Sequence, residues 1–268
     1  VKKLYARLGI AGSAGLVLAV LWLLIGTLGP ILTPYGPGEI VDYEVFLPMS
    51  AEHPLGTDYL GRSVLSRIMD GARFTVGIAF AAALLATLLG TGLGLFSAVS
   101  GKAMDESISR LMDALLSIPN KIFALVMIAA FGSSVPLLLL ITGITYTPGV
   151  YRIARALAVN INQLDYIQVA RARGEGRIYL ALFEVLPNMI HPMLTDFGLR
   201  FVYVVLLLSS LSFLGLGVQP PNADLGSLVR ENMSGLWEGA PAIMAPAAAI
   251  ASLTIGVNLF IDSLRGRH

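Results

Sequence analysis

Few residues in this chain are of a type and spacing that could do chemistry. Cys is absent, which excludes disulfides, thiolate metal sites and cysteine nucleophiles together. His53, His191 and His268 stand far apart without ligand-like spacing, so they offer no zinc site. Gly90, Gly92 and Gly94 alternate within an apolar run, and the chain has no GxxxxGK[ST] loop to cradle a phosphate. Helix packing, which small residues permit by letting backbones approach closely, is the better reading of these glycines. There remain two charges in apolar surroundings, Asp113 and, about two turns on, Lys121. Ionisable groups inside a bilayer cost ~2.5–3.5 kcal/mol on insertion scales, so they face a cavity or a partner charge. On a translocation path Lys121 would favour anionic solutes. The competing reading is a structural pair with Asp113 across a kink at Pro119.

The elements that must position these groups follow from composition. The 268 residues are 56% hydrophobic and 13% charged, with a mean hydropathy of +0.77. A soluble domain carries about 25% charged residues, so this surface is met by lipid. The net charge of +1 creates no field toward nucleic acid. About 20 apolar residues cross the hydrocarbon core, and charge-free stretches place six spans. The first has its apolar heart at 10–32 and outruns the ~7–15 residues of a signal core. It reads as a retained span, although the chain opens with Val rather than Met. The others are expected at 74–101, 111–131, 135–153, 201–223 (with a start near Leu194 as the alternative) and 239–261, the third and fourth as a hairpin broken at Gly132-Ser133-Ser134. The expectation is one all-α polytopic domain over residues 1–268.

Lys and Arg set the orientation. With the N-terminus inside, thirteen fall on cytoplasmic segments and four on the opposite side, so both termini are expected in the cytoplasm. Among the thirteen are Lys2, Lys3, Arg7, Arg200, Arg265 and Arg267. Residues 33–73 then form an outside loop. Within it Leu60, Val64, Leu65, Ile68, Met69 and Ala72 recur at helical spacing opposite Arg62, Ser66 and Asp70. That pattern predicts an interfacial helix lying on the outer face. The 218–238 loop, with Gln219, Asn222, Asp224, Arg230 and Glu231, reads as partner-facing or gate-lining, against a plain solvated connector.

The cytoplasmic loop at 154–196 carries most information. Asp165 with Gln168 three residues on predicts a capping box opening a helix. Gly174 and Gly176 close that helix, with an αL cap expected. A second helix is expected from Arg177 to Leu186, ending before Pro187 because the residue preceding a proline is pushed from the helical region. A short helix–Gly–helix at the membrane face suits a groove on a soluble partner; a solvated positive-inside loop is the alternative.

The stretch DYIQVARARGEGRIYLALFEVLPN resembles the EAA loop of inner-membrane components of binding-protein-dependent ABC importers. Ala170, Gly174, Leu186 and Pro187 match that family's spacing. Gln168 and Val169 replace its usual Glu and Ala, Arg173 replaces an apolar residue, and Glu184 stands where His is frequent. HPLGTDYLGRSVLSRIMDGAR at 53–73, with Ser63 where Asp is common, and SFLGLGVQPPNADLGSLV at 212–229 are similar to the dipeptide/oligopeptide/nickel group, on the side of its C-type subunit. The resemblance implies a type I importer permease fold in the inner (plasma) membrane. It implies a B-type permease partner, two ATPase subunits below and a periplasmic or extracellular solute-binding protein above. ATP would be bound by the ATPases and no cofactor by this chain, which would not be an enzyme. Asp165, Gln168, Ala170, Gly174, Leu186 and Pro187 would then couple to the ATPases. A secondary transporter would show inverted repeats and several midplane acids, and a membrane enzyme would need a cluster of catalytic residues. The sequence has neither.

Overall fold

In a computed structural model, the backbone is described for residues 2–265 and the side chains for residues 9–264. The termini of the charge tally, Lys2, Lys3, Arg7, Arg265 and Arg267, have side chains outside those residues, and His268 lies outside altogether. Ten α-helices order the described residues: α1 Lys2–Leu32, α2 Val64–Val99, α3 Lys102–Leu116, α4 Asn120–Phe131, α5 Val135–Ile161, α6 Asp165–Ala172, α7 Arg177–Tyr179, α8 Leu186–Phe213, α9 Leu225–Glu231 and α10 Pro241–Arg265. A π turn at Leu180–Val185 joins α7 to α8, and a 3-10 turn at Met233–Leu236 precedes α10. Among the described residues there is no sheet, only two isolated bridges at Ile40–Arg62 and Thr57–Ser63.

Five helices are long and apolar enough to cross a membrane, and the bent pair α3–α4 makes up to six. The span expected at 111–131 is the main correction. Its two helices meet at 86°, because Pro119 cannot continue the hydrogen-bond ladder of α3. Two further spans start earlier than the charges suggested. The second begins at Val64 instead of Phe74, and the fifth at Leu186 instead of Phe201.

Helix α2 lies at the centre, with α5, α1 and α8 around it. Its small-residue face makes this arrangement close. Ala79, Ala82, Ala83 and Ala86 are wholly buried. A Cβ on Gly90 would stand 2.6 Å from Val150 Cβ, and one on Gly94 2.8 Å from the Arg155 backbone nitrogen. Two of the three alternating glycines therefore serve helix packing, while Gly92 faces open space. Helix α10 packs on α1, where Trp22 Nε1 donates to Ser252 Oγ at 3.0 Å.

Candidate functional site

The loop at 165–187 is built as follows. Helix α6 starts after Leu164, whose backbone is extended and whose side chain makes no cap. Asp165 is thus the first helical residue, and the expected capping box with Gln168 does not form. Gln168 Nε2 donates instead to the Asn162 carbonyl at 3.0 Å, and Arg171 Nη2 to Asn162 Oδ1 at 2.9 Å. The C-terminal expectation holds. Gly174 has φ +86, its N–H donates to Arg171 O at 3.0 Å, and the Glu175 N–H donates to Ala170 O at 3.3 Å. These are the two bonds of a Schellman ending. A Cβ at Gly174 would meet nothing within 4 Å, so its backbone conformation, not crowding within the chain, calls for glycine.

Ile167 and Ala170 turn inward, at 0% and 2% exposure, whereas Val169 is 56% exposed beside Tyr166 and Arg173. Of the residues expected to couple, Ala170 therefore belongs to the buried face of α6; Asp165, Gln168, Gly174 and Pro187 are exposed and Leu186 is half-buried. The helix expected to stop before Pro187 does not stop. It passes through the π turn and continues as α8, with Pro187 in the first turn of that helix. A π turn adds a residue to the ring of each hydrogen bond. The ring at 187 then no longer meets, in α-helical register, the carbonyl four residues back. Asn188 Nδ2 donates to Tyr166 Oη at 3.1 Å, which ties α6 to the start of α8.

Near this loop the ends of α2, α3 and α5 are joined by polar groups. Asp105 binds the Arg155 guanidinium through both oxygens and also accepts from Ser97. Tyr151 Oη lies 2.9 Å from Ser97 Oγ and 2.8 Å from Ser109 Oγ.

Asp113 and Lys121 do not pair. Asp113 Oδ1 accepts from Arg152 Nη2 at 2.9 Å, both side chains being exposed. Lys121 is exposed, with no ion-pair partner among the described residues. Its neighbour Asn120 shares a small cavity with Thr145 and Pro148, halfway along α5. One pair was missed in the sequence. Asp196 and Arg200 lie in the body of α8, where Arg200 Nε donates to Asp196 Oδ2 at 3.1 Å. Arg200 also lies against Gly149 of α5. The charge bias assigns Arg200 to a cytoplasmic segment, where an i,i+4 spacing carries no weight.

At the opposite end of α2 the expected interfacial helix is instead the first turns of α2, with Arg67, Ile68, Asp70 and Ala72 buried. Its polar side faces the protein. Arg62 Nε donates to Asp58 Oδ2 at 2.7 Å, and Glu231 Oε2 accepts from Arg62 Nη2 at 3.1 Å and Arg67 Nη2 at 2.6 Å. Within the 218–238 segment Gln219 and Arg230 are exposed, and Asn222 and Glu231 are half-buried. Asp224 is fully buried at the start of α9 and forms a capping box with Ser227. Burial holds its carboxyl above the usual range, and hydrogen bonds from Ser212, Ser227, Val218 and Gly226 offset only part of that rise.

The sequence profile described as "Binding-protein-dependent transport system inner membrane component" matches residues 90–267. The chain belongs to this family. Among its relatives, the dipeptide transport system permease protein DppC of Haemophilus influenzae is 32% identical, over 94% of this chain and 87% of its own length. The probable D,D-dipeptide transport system permease protein DdpC of Escherichia coli is 32% identical over 93% and 84%. The glutathione transport system permease protein GsiD of Pectobacterium atrosepticum is 30% identical over 97% and 87%. The fold is similar to that of an amino acid ABC transporter crystallised with histidines, at a TM-score of 0.52 and 18% identity, covering 75% of this chain and 93% of that one. The chain is thus a multi-pass ABC transporter permease, with the all-α fold expected from its sequence.

Proposed function

We propose that this subunit pairs with a second permease subunit to form the path for a peptide-like or similar small polar solute. A solute-binding protein delivers the solute from outside, and two ATPase subunits engage the 165–187 loop from the cytoplasm. Both termini are cytoplasmic in this arrangement. The peptide-like solute is taken from what the printed names of the relatives say of those proteins. Lys121, an exposed cation with no ion-pair partner among the described residues, lines the path.

The observation that carries the coupling role is mechanical. Helix α6 offers Tyr166, Val169 and Arg173 outward, anchors Ile167 and Ala170 inward, and is joined to α8 through Asn188 and the unbroken α7–π–α8 rod. A push on its outer face moves a membrane-crossing helix. Coupling is tested with Gly174→Val, since a β-branched residue in the left-handed region costs roughly 1–2 kcal/mol and the Schellman ending must distort. In the reconstituted importer, ATP hydrolysis stimulated by loaded binding protein should fall by about tenfold, the scale of that strain, with the subunit still inserted. Wild-type stimulation in Gly174→Val overturns the coupling role.

A further inference from the structure

A cavity of about 310 Å³ opens between the end of α8, α9 and the segment before α2, lined in part by Tyr59, Ser212, Gln219, Ser227, Arg230 and Glu231. The charges around it do not balance. Glu231 is shared by Arg62 and Arg67, and Asp58 holds Arg62 from the other side. Two carboxylates thus answer two guanidinium groups, and Arg230 is left over. It has no ion pair and no side-chain hydrogen bond among the described residues. Asp224 lies behind the lining, its two oxygens filled by Ser212 Oγ and the backbone N–H groups of Val218, Gly226 and Ser227.

Arg230 is exposed, but its side chain lies against the backbone. Its guanidinium lies over Gly215, where a Cβ would stand 2.7 Å from Nη1 and 2.8 Å from Cζ. Gly215 has φ +87 and directly follows the C-cap of α8. Glycine provides the seat, and the carbonyl end of a helix favours a cation there. A guanidinium has five N–H donors in a fixed fork, and among the described residues none of these is spent on a side chain or a carbonyl.

We infer that Arg230 on its Gly215 seat is a carboxylate-binding site that takes the carboxylate end of the solute. The inference rests on the peptide-like solute proposed above and adds which end of it this subunit reads. The fork accepts a carboxylate through two parallel N–H···O bonds, which a point charge such as Lys cannot reproduce. The cavity lies at the small end of the roughly 300–1,000 Å³ of ligand pockets, which suits a terminal residue and not a whole oligopeptide.

The test labels the intact purified importer with phenylglyoxal, a guanidine reagent, and follows Arg230 by peptide mass spectrometry. A dipeptide at several times its Kd should slow Arg230 modification about fivefold, as one-site competition requires. The same dipeptide as its C-terminal amide should not slow it, and exposed Arg110 should be indifferent to both. Equal protection by the two, or by neither, overturns the site. In uptake assays Arg230→Lys should raise KM for the dipeptide about tenfold, the cost of losing the bidentate contact, and leave KM for the amide unchanged. An equal rise for both overturns the inference in favour of a structural role. An importer that moves no peptide while Arg230 is still protected by the carboxylate refutes the solute reading and upholds the site; peptide uptake without protection does the reverse.

Discussion

Asp196 and Arg200 show what one pair of side chains demands of a membrane helix. Their side chains are 5% and 13% exposed, and removing one partner of a buried pair costs roughly 3–5 kcal/mol because the other charge is left unanswered. Asp196→Asn should therefore lower the melting temperature of the detergent-purified subunit, and Asp196→Leu with Arg200→Met should recover most of the loss. Wild-type melting in Asp196→Asn would refute the argument. The pair is legible in its four-residue spacing, but a span that begins after the last charge, at Phe201, leaves both residues outside the membrane, and only the alternative start near Leu194 includes them. Lys121 is the converse case: the sequence marks it as unusual, and among the described residues it has no ion-pair partner. If it lines the path, Lys121→Met should spare assembly and lower kcat/KM for an anionic solute about tenfold, as losing a ~1.4 kcal/mol attraction would. Unchanged kinetics in uptake assays would leave Lys121 no part in the path.

At the scale of an element, α6 has two faces with different work. A charge at Ala170 would enter the packed side of the helix, whereas one at Val169 would meet only what lies outside the chain. Val169→Glu should give a normally inserted subunit whose affinity for the ATPases falls about tenfold or more, as when a like or desolvated charge enters an interface. Ala170→Glu should instead lower the yield of folded subunit, since a buried unpaired charge destabilises the fold. Pull-down of the ATPases, set against the amount of membrane-inserted subunit, separates the two, and the opposite pattern would refute the assignment of faces. The Gly174 ending was legible because a left-handed residue after a helix is so often glycine. The capping box was not, because Asp165 lies one residue inside the helix and its side chain is past the cap. Nor was the rod through Pro187, because a π turn leaves no local sequence signal and proline is ordinarily a stop.

Over the whole molecule, the charge-free stretches located α1, α5 and α10. They failed at α3–α4, where Pro119 sets two short helices at 86°, and at the starts of α2 and α8. In those two helices Arg67, Asp70 and Asp196 are buried and Arg200 is half-buried by other parts of the chain, so a charge no longer marks the edge of the membrane. The helices enclose one assembly of spans from which α6 projects on the side shared by the ends of α2 and α3. The central claim is that this projection is where an ATPase subunit bears. Because the chain is free of Cys, a single Cys at position 169 reports on it directly. In the intact importer Val169→Cys should cross-link to an ATPase subunit through a short thiol-to-amine reagent. The yield should change when ATP is bound, and a Cys in place of exposed Trp237, near the start of α10, should give no such product. Efficient cross-linking of position 237 to the ATPase, or none from position 169 in an importer that hydrolyses ATP, would contradict the account.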